Sequence, residues 1–398
     1  MKSKIFLLLA AIFSSTLQTT FAGDASLSQL AAANNAFAFK LLKQLSDANK
    51  TGNIFVSPYS AATALQMAAN GAAGQTKAEM LAALEIAGLS TDALNEASRA
   101  ASAALSSTDT NLILTTANAL WYRQDAPIKQ DYLDANQKLL AIQALDFGNA
   151  PAAEAEINQW GSDQTHGRIT GIANGLITPY TDLILANAIY FKGKWQDPFD
   201  KKLTKERPFH SASGEEKNVP MMSLSKKFTY RQGSGYQAVR LPYMGGDLAM
   251  YVFLPDAGSS PEKLLEIMNG DTWHRVTVPG FTQQQGLLVL PKFKMENTLP
   301  LNSPLAALGM KTAFEKEADF SVMFNEPHHI SAVTQKAFIE VGEEGTEAAA
   351  VTTIGFTASA IMMDPTKPFV MTVDRPFLFT IVDARTEMIL FMGVVNSL

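Results

Sequence analysis

The amino-acid sequence predicts one large α+β domain behind a short export signal, and three observations carry that reading. Helical periodicity is concentrated in the first half of the chain and strand periodicity in the second. No internal repeat and no proline- or glycine-rich linker divides residues 23–398. Between two apolar strands, a small, polar, alanine-rich stretch runs from Gly342 to Thr366, longer than an ordinary connection inside a domain.

The chain has 398 residues, of which 47% are hydrophobic and 18% charged, enough apolar surface for a substantial core. Its net charge of −6 leaves no excess of cations to displace the counterions of a nucleic acid, which excludes that class of partner. Cysteine is absent, so noncovalent packing alone must hold the fold, and thiol catalysis and cysteine metal sites are excluded.

The first 22 residues read as a signal peptide. Lys2 and Lys4 supply the positive start, Ile5 to Phe13 the apolar segment, and Ala22 a small residue before a cut at Gly23. The apolar run is well short of the ~20 residues that span a bilayer. The mature protein is therefore expected to be secreted or periplasmic, without a membrane partner.

Beyond the signal, Leu27, Leu30, Ala31, Phe37, Leu41, Leu42 and Leu45 recur at near-helical spacing, with Ser26 or Ser28 as cap. Asn53 to Ser57 reads as a short strand, and Pro58 stands where a helix begins, continued by Ser60 to Ala69. A short helix follows Gly74, and an alanine-rich one covers about Thr91 to Ser106. Leu112 to Tyr122 alternates as a strand, and Glu154 to His166 is an amphipathic helix. Leu183 to Phe191 is almost continuously apolar, as a strand covered on both faces should be. Further strands are expected at Ala238 to Leu241, Leu248 to Leu254, Leu287 to Phe293, Ala337 to Val341 and Phe377 to Val382.

No catalytic constellation emerges. Of the five histidines (His166, His210, His274, His328 and His329), none lies in an H-E-x-x-H motif, and neither a G-x-S-x-G elbow nor a phosphate-binding loop is present. The adjacent pair His328-His329 reads as solvated surface in preference to a metal site. No cofactor is expected.

The stretch Gly345-Thr346-Glu347-Ala348-Ala349-Ala350-Val351 resembles the proximal hinge of inhibitory serpins, and Val373 to Phe379 resembles the serpin C-terminal signature. Other matches follow in the family's order, among them Asn53 to Ser60, Asn118 to Trp121, Thr165 to Ile169, Asn187 to Trp195, Val219 to Met222, Leu290 to Phe293 and Phe391 to Gly393. The resemblance implies three β-sheets, about eight to nine helices and an exposed reactive-centre loop at about 342–366. It also implies a mechanism. A target serine protease attacks the loop and forms a covalent acyl-enzyme, and the cut loop then enters the main sheet as a new strand. The expected protein is a monomeric protease inhibitor, not an enzyme; a non-inhibitory serpin acting as carrier or chaperone is the alternative.

The hinge composition permits such insertion. Alternate residues of an inserting strand face the core, and Thr346, Ala348, Ala350 and Thr352 are all small and uncharged. Glu347, Ala349, Val351 and Thr353 form the other face, and Gly345 supplies backbone freedom. The resemblance further assigns Ser57, Ser60 and Asn187 to a cluster beneath the opening sheet, where Gln335 stands in place of the family's frequent histidine. It pairs Lys292 with Glu343 near Trp195, where the loop first enters. Counting forward from Gly345 puts the reactive bond at Ser359-Ala360, whereas counting back from Pro376 points near Pro365, leaving Ile361, Met362 and Met363 as rivals. No Lys or Arg occurs between Gly342 and Thr366, so elastase-, subtilisin- or chymotrypsin-like pockets suit this loop and a trypsin-like one does not.

Overall fold

In the computed structural model of the chain, the residues described are 27–105, 112–136, 140–346 and 368–398. The first helix, α1, covers residues 27–48 and buries Leu30, Phe37, Leu41 and Leu42 at the predicted spacing. Ser28 lies inside its first turn and does not cap it; Ser26 lies outside the described residues. Strand β1 (Ile54–Val56) leads into α2 (Pro58–Asn70), whose cap is Ser57: its hydroxyl accepts from the Ser60 amide at 3.3 Å, and Pro58 occupies the first turn. Next come α3 (Gly74–Ala83) and α4 (Thr91–Leu105). Strand β2 (Leu112–Arg123), α5 (Gln130–Asn136) and β3 (Ala141–Leu145) precede α6 (Ala150–Gln164). This last helix begins four residues before the sequence reading placed it, because Asn149 caps it and Pro151 is tolerated in the first turn.

The strands that follow are β4 (Leu183–Lys194), β5 (Lys205–His210), β6 (Glu216–Gly233), β7 (Tyr236–Pro242), β8 (Leu248–Pro255) and β9 (Thr282–Pro291). Then come β10 (Phe293–Pro300), β11 (Ile330–Gly342), β12 (Gly345–Thr346), β13 (Phe369–Thr372), β14 (Phe377–Asp383) and β15 (Ile389–Val395). Leu287 to Phe293, expected as one strand, is two. Lys292 breaks it by donating its amide to the Pro220 carbonyl, and the chain passes from one sheet to the other there.

Among the described residues the strands hydrogen-bond as two networks. One has nine strands, in the order β1-β15-β14-β8-β7-β6-β9-β13 with β5 on the flank of β6. The third sheet implied by the resemblance is continuous with it, because the 18-residue β6 is long enough to pair with β5, β9 and β7 in succession. The other network has six strands, in the order β10-β11-β12-β4-β2-β3.

Strand β4 illustrates how the second sheet is seated. Leu183, Leu185, Ile189 and Phe191 face the main core, while Ile184, Ala186 and Ala188 face a smaller cluster under α6 that includes Trp121, Ile157 and Phe338. That two-residue period with both faces covered accounts for the unbroken apolar run.

Candidate functional site

The site grows from one seam. Strands β4 and β11 run parallel and pair directly from Leu183 with Ile330 up to Tyr190 with Phe338. Above that point they part, and the two-residue strand β12 occupies the gap: Gly345 pairs with Lys194, and Thr346 pairs with both Gly193 and Val341, antiparallel to each neighbour. The returning chain thus already contributes a short middle strand at the head of the sheet.

Backbone geometry makes Gly345 necessary there. Its φ of +151° lies outside the range most residues adopt, and a Cβ would sit 2.1 Å from the Gly193 carbonyl oxygen. Thr346 is fully buried, and its hydroxyl hydrogen-bonds the Tyr243 hydroxyl at 2.8 Å. Burial pushes the Tyr243 phenol far above its ordinary value, so this contact is between neutral hydroxyls.

Around that head, the turn before β12 is held by groups from three other segments. Trp195 donates its indole N–H to the Gly342 carbonyl and its amide to the Glu344 carbonyl, both at 2.9 Å, and stacks on Tyr243 with ring centroids 4.6 Å apart. Phe199 donates its amide to the Glu343 carbonyl at 2.8 Å. The Glu343 carboxylate lies 2.9 Å from the Lys292 ammonium and accepts from the Thr204 hydroxyl at 2.9 Å. Burial alone would raise this carboxyl, but the Lys292 pairing and the hydrogen bonds outweigh it and hold it below its ordinary range. Lys201 pairs with Glu344 at 2.5 Å.

Halfway down the seam lies a buried polar knot. Gln335 on β11 donates its amide to Asn187 Oδ1 on β4 at 2.6 Å and to the Ser57 carbonyl at 2.9 Å, and accepts from the Ser57 amide at 2.6 Å. Ser57 donates its hydroxyl to the Leu390 carbonyl at 2.7 Å while also capping α2. Ser60 donates to Asn118 Oδ1 at 3.0 Å, and Asn187 Nδ2 contacts both Asn118 and the Ser60 carbonyl. The amide of Gln335 supplies donor and acceptor at once without titrating near neutrality, so the knot is satisfied without a histidine.

Of the residues singled out in the sequence, Ser57, Ser60, Asn187 and Gln335 therefore meet in the middle of the seam. Trp195, Lys292, Glu343, Gly345 and Thr346 meet at its head. Glu347, Ala348, Ala349 and Ala350 of the hinge lie outside the described residues, as do Ser359, Ala360, Ile361, Met362 and Met363. Sequence reasoning gave no site role to Tyr243, Thr204, Asn118 or Gly193, although the last two lie in segments that match the family. Only Gly193 carried a usable signal, since a glycine inside an apolar strand marks close approach of another backbone.

A sheet whose two central strands are joined by a polar knot, and whose head already admits a returning segment, has the build of a strand-accepting fold. A family model described as serpin (serine protease inhibitor) matches residues 32–398, and the chain belongs to that family. The family is described by protease inhibition, not by catalysis. The chain is 36% identical over 381 residues to the leukocyte elastase inhibitor of Bos taurus, covering 93% of this chain and 99% of that one. It resembles the crystal structure of Serpin48 from Tenebrio molitor with a TM-score of 0.81 and 30% identity, over 93% of this chain and 98% of that one. It also resembles human thyroxine-binding globulin in its hormone complex, with a TM-score of 0.84 and 27% identity, over 94% and 99% of the two chains.

Proposed function

We propose that this protein is an inhibitory serpin, which traps a serine protease as a covalent acyl-enzyme by drawing its cleaved loop into the seam between β4 and β11. The observation that carries the reading is the seating of Gly345 and Thr346 between those strands. Insertion then means extending a strand already begun, and Thr346 sets which face of that strand meets the core.

Register supports the small-residue pattern. Each further residue in the alignment of Thr346 with Gly193 advances one step down β4. Continued in that register, an inserted strand would put Ala348, Ala350 and Thr352 on the core-facing side of Thr346 and Thr352 level with Asn187 and Gln335, where a hydroxyl can join the polar knot. The same count reaches Leu183, the last paired residue of β4, at Phe356, so a bond after Ser359 would lie just beyond the sheet's end. This favours Ser359-Ala360 over its rivals. With no Lys or Arg from Gly342 to Thr366, the expected targets have small or apolar specificity pockets, as elastase- and subtilisin-like proteases do.

A carrier role of the kind served by thyroxine-binding globulin shares the fold, and the hinge separates the two readings. Residues 1–22 act in this proposal as a cleaved export signal, and the mature monomer works outside the cytoplasm, in the periplasm or beyond. Incubation with a panel of elastase-, subtilisin-, chymotrypsin- and trypsin-like proteases tests the proposal. The expected result is an SDS-stable complex with the first two classes and none with trypsin, and mass spectrometry of the released C-terminal fragment should show a start at Ala360. Cleavage by every member without a stable complex would sink the inhibitory reading.

A further inference from the structure

Across the nine-stranded sheet, one transverse row of side chains ends in positive charge that the fold does not neutralise. Gln283 on β9, Thr229 on β6, Arg240 on β7 and Tyr251 on β8 stand opposite one another in successive pairs, so they share one face. Gln283 donates its amide to the Thr229 hydroxyl at 2.7 Å. Arg240 donates Nε to the Tyr251 hydroxyl at 3.2 Å, and its guanidinium carbon lies 5.9 Å from the centroid of that buried ring. Among the described residues, the two terminal nitrogens of Arg240 find no acceptor.

These groups border a cavity of about 270 Å³, which Lys226, Lys227 and Asp197 complete. Gln196 fixes one wall by donating its amide to the Pro242 carbonyl at 2.9 Å. Lys226 pairs with Asp197, the single carboxylate at the cavity among the described residues. Lys227 pairs with no carboxylate among them. Three cations thus surround one anion, in a chain whose net charge is −6.

We propose that this cavity is a binding site for a doubly charged tetrahedral oxyanion, a phosphate or sulfate group either free or esterified to a small polar molecule. The chemistry of the lining selects that class. Tyr251 holds the guanidinium from behind and leaves its fork of terminal N–H groups to take two oxygens of one ion. Lys227 supplies a mobile point charge. The Thr229 oxygen already accepts from Gln283, so its proton is left to donate into the cavity. Every polar group in this set except Asp197 therefore offers a donor. The volume is several times the ~30 Å³ share of one water, so an ion fits together with an attached group. Asp197 acts as an internal competitor, because an arriving dianion must share Lys226 with it. The site goes beyond the inhibitory reading and does not depend on strand insertion.

The test is calorimetric titration of the full chain with inorganic phosphate, inorganic sulfate and glycerol phosphate. Ionic strength is held constant with chloride, at pH 7.5, above the second phosphate pKa of about 6. Saturable binding of at least one dianion at millimolar concentration is expected. Arg240→Gln should weaken it at least about tenfold and Thr229→Val about threefold. Asp197→Asn should tighten it several-fold, a gain that misfolding cannot produce. Tighter binding of glycerol phosphate than of either inorganic ion assigns the site to an ester, and the reverse assigns it to the free ion. Absence of saturable binding by all three would overturn the proposal. Binding that none of the three substitutions alters would overturn it equally, since the ion would then sit elsewhere.

Discussion

The two sheets are held together by different chemistry. Strands β8, β14 and β15 of the nine-stranded sheet are buried along their whole lengths and pair antiparallel, with one register shift, between Ile381 and Val382, where β14 meets β15. Phe55, Phe379 and Phe391 stack beneath them, with centroids 5.5–5.8 Å apart across Phe55. At the centre of the six-stranded sheet, β4 and β11 pair in parallel and share Asn187, Gln335, Ser57 and Ser60 across the join. Apolar packing has no substitute partner and resists separation as a block, whereas amide and hydroxyl groups can exchange one partner for another. The first arrangement suits a permanent scaffold and the second a joint that opens.

Cleavage should separate the two most widely. A nick within residues 347–367 is expected to raise the melting temperature sharply, since a new central strand would add antiparallel pairing to both β4 and β11. Scanning calorimetry of nicked and intact protein measures this, and a nicked form melting at or below the intact one would mean that the seam does not accept a strand. Replacing Phe391 in the scaffold by Ala should cost about 3–5 kcal/mol in the intact and nicked forms alike. A penalty confined to the intact form would erase the distinction between scaffold and joint.

At the head of the joint, Thr346→Arg should convert inhibitor to substrate, because a guanidinium has no partner in the fully buried Thr346 position. The yield of SDS-stable complex is expected to fall at least tenfold (on the order of 1.4 kcal/mol or more in the partition) while the cleavage rate stays near wild type. In the middle of the joint, Gln335→Ala leaves the Ser57 amide and Asn187 Oδ1 without their shared partner, at about 1–3 kcal/mol. Urea unfolding of the intact form should show that loss, with a smaller one in the nicked form if Thr352 takes over the contacts.

The smallest effect is electrostatic. The Glu343 carboxyl is held below its ordinary range, so it contributes stability that is fully present above that range and lost as pH falls through the lowered value. Wild type should therefore exceed Glu343→Gln by a constant margin, at most about 1–2 kcal/mol, above roughly pH 5. Below about pH 4 the margin should close, and a margin that widens in acid would contradict the pairing with Lys292.

Much of the scaffold was legible because its determinants are local. Pro58 after a serine announced α2, and the unbroken apolar run from Leu183 announced a strand covered on both sides. Strand β6 escaped notice because half-exposed positions interrupt its alternation, and its length is stabilised by pairing with three different neighbours. Tyr243 and Thr204 escaped because a hydroxyl at a strand end gives no sign of which distant group it will meet.

What the sequence determined alone is composition and period: a glycine at 345, small residues on alternate positions after it, and no cation before Lys367. Those properties decide whether a segment can enter a sheet, since entry is limited by side-chain size and charge one residue at a time. Where the segment enters was decided only in three dimensions. Gln335 and Asn187 are 148 positions apart in the chain. Parallel pairing of β4 with β11 brings both to one seam, and no short-range pattern encodes that pairing, because its register is set by the two cores packed above and below it.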